Sequence, residues 1–244
     1  MTPPPRTVGI LGGMGPAAGA DFARLFVTAC AAHLRAAGRP VRDQAFPEHW
    51  LAQLPVPDRT AALVDAAAPQ PFEAMRAGVQ RLATLGAGCI AIACNTAHAW
   101  HEDLQVSCRE VRILHAMDEV AERLVRSGER EVGLLATEGT YRSGLYARAL
   151  EARGIACRVP AAAECRLITE GIYCGVKAAR PDIAARAFEH AAMSLVDAGV
   201  RVLVMGCTEI PLALDATRLP VGVQLIDPAD VLAQRLAAWA YGQD

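Results

Sequence analysis

The stretch GCIAIACNTAHAW, residues 88–100, places Cys94 directly after a short apolar run and ahead of Asn95, Thr96 and His98. The stretch RVLVMGCTEIPLAL, residues 201–214, does the same with Cys207, which is followed by Thr208 and Glu209. Both thiols are expected beyond the carboxyl end of a buried strand, where open parallel sheets bind ligands. A helix N-terminus at such a place lowers a thiol pKa from about 8.5 and raises the thiolate fraction. A nucleophilic hydrolase needs one cysteine and an oriented base, which leaves a second matched site unexplained. Inverting a stereocentre needs two groups, one to remove a proton from one face and one to return a proton to the other.

The residues around the thiols fit that chemistry. Backbone N–H groups near Asn95–Thr96 and Thr208–Glu209 suit stabilisation of a developing carbanion, and Asn95 and Thr96 also suit a helix cap. His98 lies one helical turn beyond Cys94, where it could tune the thiol or relay protons, or sit as a partly buried core histidine; Glu209 could orient Cys207 or support the turn before Pro211. A Cys/His metal site using His101 lacks further ligands at a recognised spacing, so no metal is expected. Lys177 is the only lysine beside 23 arginines, as expected if a compact ammonium is required there, or simply a survivor of compositional bias. Arg59, in PVPDRT, could grip a carboxylate with two hydrogen bonds or form a surface pair with Asp58.

The opening LGGMGPAAGA carries Gly13, Gly15 and Ala18 at the spacing of a weak dinucleotide-binding pattern. Pro16 removes an N–H where pyrophosphate needs donors, so the expectation is a tight turn admitting a small ligand, without a nucleotide cofactor.

Positioning these residues requires strands alternating with helices, an α/β architecture with mostly parallel sheets. Strands are predicted over Val8–Leu11, Ile90–Ala93, Arg112–Leu114, Val132–Ala136, Val202–Met205 and Gln224–Ile226. Phe22, Leu25, Phe26 and Ala29 share one face of a helix opened by Pro16 and ended near Gly38; Gly128 and Gly154 end others. VGIL at Val8 recurs as VGLL at Val132, Cys94 recurs as Cys207, and ILHAMDEVAERL from Ile113 recurs as LIDPADVLAQRL from Leu225, at offsets of 124, 113 and 112 residues. The common order predicts two similar lobes related by a pseudo-twofold axis, with the active site in the cleft between them. An inserted loop is predicted around PEHWLAQLPVPDRT, residues 47–60. The preferred division is a discontinuous N-terminal lobe, 1–114 plus 208–244, and a C-terminal lobe, 115–207, with the tail returning to the first lobe.

Composition narrows the partners. The chain has 244 residues, 53% hydrophobic, with a net charge of −2 and both signs dispersed, which argues against nucleic acid and anionic membranes as partners. The opening does not resemble a signal peptide or a membrane span, so a cytoplasmic protein is expected. Eight scattered cysteines without a C-x-x-C predict reduced thiols, with Cys30 and Cys89 among the apolar fillers.

GILGGMGP, PDRT, ACNTAH, GTYRSGLY, GIYCGVK and GCTEIPL follow in an order that resembles the cofactor-independent aspartate/glutamate racemases, most closely their aspartate racemase branch. The resemblance implies a two-lobed, commonly dimeric enzyme with Cys94 and Cys207 as acid/base pair, Cys207 handling the L-enantiomer and Cys94 the D-enantiomer. It implies that Arg59 and Lys177 bind substrate carboxylates and that Met14, Asn95, Thr96, Thr140 and Thr208 line the pocket. Two cations favour a dicarboxylic amino acid, since an uncharged side chain leaves one cation unpaired in a partly desolvated cleft. Aspartate is the expected substrate, with glutamate or a broad range as the alternative; a non-catalytic amino acid binding or redox-sensing protein is the reading of another class.

Overall fold

The alternation of short aliphatic runs with longer amphipathic segments yields eight strands and ten α-helices among the residues described by the computed structural model, 4–243; residues 1–3 of the opening stretch and residue 244 lie outside the described residues. In chain order these are β1 (Val8–Gly12), α1 (Pro16–Ala36), β2 (His49–Gln53), α2 (Arg59–Val64), α3 (Phe72–Thr84), β3 (Cys89–Ile92), α4 (His101–Ser107), β4 (Arg112–Ile113) and α5 (Ala116–Ser127). Then follow β5 (Glu131–Ala136), α6 (Glu138–Ser143), α7 (Leu145–Glu151), β6 (Ala156–Arg158), α8 (Ala162–Glu170), α9 (Pro181–Asp197), β7 (Val202–Gly206), β8 (Gln224–Ile226) and α10 (Pro228–Ala240).

The strands form two parallel four-stranded sheets, ordered β2-β1-β3-β4 and β6-β5-β7-β8. The second order is the first with each strand advanced by four, so the sequence repeat is a repeat of topology. Every residue of β1, β3 and β7 is buried, as expected of parallel strands covered by helices on both faces.

The chain divides into two units. The first holds residues up to Asp58, Ala68–Ala116 and the chain from Ala229 on. Its core joins Leu11 and Ile90 of the sheet to Met75, Val79 and Leu82 of α3. The second holds Arg59–Ala67 and Met117–Pro228, with Phe188 and Leu195 of α9 packed with Leu135, Leu203 and Met205 of its sheet.

The expected division put residues 59–67 in the first lobe, whereas they belong to the second unit; it is corrected likewise for residues 208–228. They were placed with the first lobe, but β8 pairs with β7 through Val202–Gln224, Leu203–Leu225 and Val204–Ile226, so the chain leaves the second unit only after its last strand. α10 does belong to the first unit: Arg6 N donates to Ala240 O (2.8 Å), Tyr241 Oη donates to Ala45 O (3.0 Å), and the Tyr241 ring stacks on His33 at 4.5 Å. α5 follows the converse path, leaving β4 in the first unit to fold with the second. The stretch 47–60 is also more than a loop, since it contains β2 and the start of α2. No described helix is long and apolar enough to cross a membrane.

Candidate active site

β3 ends at Ile92 and the chain turns at once. Ala93 N still donates to Leu11 O of β1 (2.9 Å), while Cys94 N donates back to Ile92 O (2.8 Å). Cys94 is buried in the same apolar cluster as Met14, and Asn95 and Thr96 are buried beside it in the chain. A 3-10 turn, Thr96–Trp100, follows, with Asn95 at its N-cap position making no side-chain cap hydrogen bond, so side-chain capping is not the role of Asn95.

His98 folds back on this turn. Its Nδ1 lies 2.9 Å from Cys94 O and 3.2 Å from Asn95 O. Carbonyl oxygens only accept, so Nδ1 carries the proton and Nε2 the lone pair. Burial, reinforced by His115 and His101, pushes the His98 pKa down to about 3. A ring held that low is neutral near neutral pH, and its one proton is committed to these carbonyls. Its link to the site is the Cys94 carbonyl, which it pins.

His115, at the end of β4, meets His98 edge-on at 5.5 Å and His101 at 4.7 Å, while His101 Nε2 donates to Ile113 O (2.9 Å). No group of three His, Cys, Asp or Glu suited to hold a metal ion occurs among the described residues.

The Cys207 loop is built differently. The sequence suggested a helix N-terminus here, yet β7 runs into successive turns, with Ile210 N donating to Cys207 O (3.1 Å) and Leu214 N to Ile210 O (2.9 Å). The third residue after the strand is Glu209, and a carboxylate replaces the helix as the thiol's neighbour. The Cys207 thiol donates to Glu209 Oε2 at 3.0 Å, and the Thr208 hydroxyl donates to the same oxygen at 3.1 Å. Glu209 is only 3% exposed, and its Oε1 is buried without a hydrogen-bond partner among the described residues. One buried carboxylate oxygen thus accepts from both the thiol and the hydroxyl and fixes the orientation of the two donors.

Tyr146 and Asp227 were not singled out by sequence reasoning. The Tyr146 phenol is fully buried and pushed well above its usual pKa by that burial, with the charges of Asp227 and Cys207 adding to the effect. A signal was present: in the repeat that aligns Ile113 with Leu225, His115 aligns with Asp227. Each follows the fourth strand of its own sheet; His115 meets His98 of the Cys94 loop, and Asp227 and Cys207 both act on Tyr146.

Arg59 opens α2 and is 7% exposed, so its side chain is buried and not on the surface. α2 packs on α6. There Thr137 caps the helix, its Oγ1 accepting from Thr140 N (3.1 Å) and donating to Thr140 Oγ1 (3.0 Å). Arg59 and Thr140 therefore sit on packed helices of the second unit. Lys177 lies in a 3-10 turn after α8, exposed, its Nζ 4.5 Å from the centroid of the Tyr173 ring. The structure thus gathers Met14, Cys94, Asn95, Thr96 and His98 in the first unit. Arg59, Thr140, Lys177, Cys207, Thr208 and Glu209 belong to the second.

The glycine-rich turn is occupied by the protein itself. Gly13 has φ 91°, and a Cβ there would run into the backbone of Leu54; a Cβ on Gly12 would lie 2.6 Å from Gln53 Oε1, and one on Gly19 would meet the same side chain. Gln53 Nε2 donates to Pro16 O (2.8 Å) at the first turn of α1. The glycines make room for the end of β2, where a dinucleotide site would use that room for pyrophosphate.

Of the remaining cysteines, Cys30 and Cys89 behave as fillers: both are fully buried, and burial pushes each thiol up to about 12. None of the eight cysteines forms a disulfide.

Residues 11–236 match the sequence profile described as Asp/Glu/Hydantoin racemase. The glutamate racemase of Desulforudis audaxviator is 33% identical over 153 residues, 61% of this chain and 54% of that protein. The broad-specificity amino-acid racemase RacX of Bacillus subtilis is 28% identical over 147 residues, 60% of this chain and 61% of that protein. The chain spans about half the length of the curated relatives it matches. Among solved structures, the aspartate racemase of Picrophilus torridus superposes with a TM-score of 0.81 at 28% identity, covering 96% of this chain and 94% of that one. With the fold, the repeat and a family match that runs through both cysteine loops, the chain belongs to the Asp/Glu/Hydantoin racemase family.

Proposed function

We propose that the protein racemises an acidic amino acid by two-base thiol chemistry, with aspartate as its substrate. The observation that carries this reading is the duplicated cysteine loop, Cys94 after β3 and Cys207 after β7 at equivalent strands of repeated sheets. The 28% identity with an aspartate racemase over nearly the whole chain supports the substrate choice. Arg59 and Lys177, as one cation for each carboxylate of the substrate, support it too.

In the L-to-D direction the cycle starts with Cys207 as thiolate and Cys94 as thiol. The thiolate takes the α-proton, so a C–H bond breaks and an S–H bond forms. The carbanion is reprotonated on its other face by the Cys94 thiol, which becomes the thiolate. The reverse direction exchanges the roles. Glu209 orients the Cys207 sulfur, and His98 fixes the main chain from which Cys94 acts.

L-Aspartate, incubated in heavy water without added cofactor, is expected to gain deuterium at the α-carbon and to yield D-aspartate, read by chiral chromatography over all common amino acids. Cys94→Ser and Cys207→Ser are each expected to lower racemisation by at least about a thousandfold, and Glu209→Gln by about ten- to a thousandfold. Turnover confined to glutamate would move the substrate assignment to the specificity of the D. audaxviator relative. Ligand-induced stabilisation without any exchange would replace catalysis by a binding role.

A further inference from the structure

Lys177 differs from Arg59 in how it is held. Arg59 is buried at the start of a helix, whereas Lys177 is exposed, on a side chain with four rotatable bonds. The segment that carries it is irregular. α8 continues into a single π turn, Gly171–Gly175, and then into the 3-10 turn Val176–Ala178. π turns of this kind frequently occur at functional sites.

Two glycines press this segment onto α9. A Cβ on Gly171 would lie 2.7 Å from the Phe188 ring, and one on Gly175 would lie 2.9 Å from the backbone nitrogen of Ala184. Arg180 N donates to Gly175 O (2.8 Å) and Ala179 N to Val176 O (3.1 Å), which ties off the turn. Ala179 is held at φ 57°, the one non-glycine residue with positive φ among the described residues. The path is therefore over-determined by packing, despite a backbone conformation that L-residues avoid.

The outcome is that Tyr173, half-buried against the apolar core of the second unit, offers its ring to Lys177 at 4.5 Å from Nζ to centroid. A ring face attracts an ammonium through its quadrupole and restricts a side chain that would otherwise roam. A cation ordered before the ligand arrives loses less freedom on binding it.

We propose that Tyr173 is a positioning residue for Lys177, holding the ammonium ready for a carboxylate of the substrate and so setting affinity for acidic substrates. The proposal rests on the reading of Lys177 as a substrate-binding cation.

Because Lys177 is the only lysine, protein grown with lysine labelled at Cε with carbon-13 gives one lysine signal in a proton–carbon correlation spectrum. The Hε protons are expected upfield of free lysine through the ring current of Tyr173, to return to the free position in Tyr173→Leu, and to stay upfield in Tyr173→Phe, which keeps the ring. The KM for L-aspartate is expected to rise about three- to tenfold in Tyr173→Leu with kcat within about twofold, to be rescued in Tyr173→Phe, and to be insensitive to Tyr173→Leu in a Lys177→Ala background.

An unshifted lysine signal in the wild type overturns the proposal. So does a KM increase of equal size with and without Lys177, the signature of a merely structural role. If Lys177→Ala raises KM strongly while Tyr173→Leu does not, the positioning role alone fails. If Lys177→Ala leaves KM unchanged, the substrate-binding reading fails and the proposal falls with it.

Discussion

His98 shows how one side chain ties stability to the geometry of a reactive loop. Its donor nitrogen is committed to the carbonyls of Cys94 and Asn95, and burial pushes its pKa from 6.5 down to about 3. Between those values the unfolded chain binds a proton that the folded chain does not, so stability rises with pH across this window. The contribution is fully present above about pH 6.5 and is lost as pH falls toward 3, an effect on the order of a few kcal/mol. His98→Asn keeps a donor for the carbonyls but removes the titrating ring. Its melting temperature, followed from pH 4 to 7, is expected to depend on pH less steeply than that of the wild type. An equal slope in both proteins would show that the acid sensitivity originates elsewhere. At this same scale the sequence was informative about residue type and poor about partners. Cys94 and Cys207 stood out by position, but that one faces a histidine-pinned carbonyl turn and the other a carboxylate depends on how each loop closes in space.

At the scale of elements, six strands were legible because each is an aliphatic run bounded by turn residues. The two that were missed, β2 and β6, lie at sheet edges, where HWLAQ and ACR bury little and show no period of their own. Edge strands are specified by the neighbour they pair with, here β1 and β5, more than by their own pattern. The glycine-rich turn was legible as a turn, yet its occupants, Gln53 and Leu54, come from the distant end of β2. Its glycines now separate by mechanism. Gly13→Ala puts a Cβ on a residue at φ 91° and against the Leu54 backbone, so it is expected to destabilise by at least about 3 kcal/mol. Gly19→Ala meets only the flexible end of Gln53. Losing that exposed hydrogen bond costs about 1 kcal/mol, and the gain in helix propensity within α1 offsets it, leaving the net change within about 1 kcal/mol of zero. Urea unfolding of the two variants checks the contrast. A comparable loss in both would mean that Gln53 cannot move aside and that the turn is rigid at its side-chain wall as well as its backbone.

At the scale of the molecule, the duplication was visible in three offsets, and the exchange of helices was not. The repeat equates β4 and α5 with β8 and α10 without saying on which sheet each helix folds, because either assignment satisfies the same apolar pattern. The structure gives α5 to the second unit and α10 to the first, so the first unit is completed by the last helix of the chain. α10 buries Val231, Leu232 and Leu236, and the Trp239 ring stands 2.7 Å from where a Cβ on Gly88 would sit, just before β3. At about 1.5–3 kcal/mol for each large apolar side chain buried, removing the helix takes away an amount comparable to the 5–15 kcal/mol that stabilises a typical domain. A chain ended after Asp227 keeps every strand and both cysteines. Its amides in β1 and β3 are nevertheless expected to lose protection from hydrogen exchange by several orders of magnitude, while those in β5 and β7 exchange more nearly as in the full chain. Loss of protection in β5 and β7 to the same degree would mean that the two units unfold as one cooperative body, and retained protection in β1 and β3 would mean that the first sheet is stable without its C-terminal helix. Under the expected outcome, the Cys94 loop acquires its native form only after synthesis of α10. The Cys94 site is then incomplete in a partly made chain, because the element that closes the first unit is encoded beyond the last strand of the second.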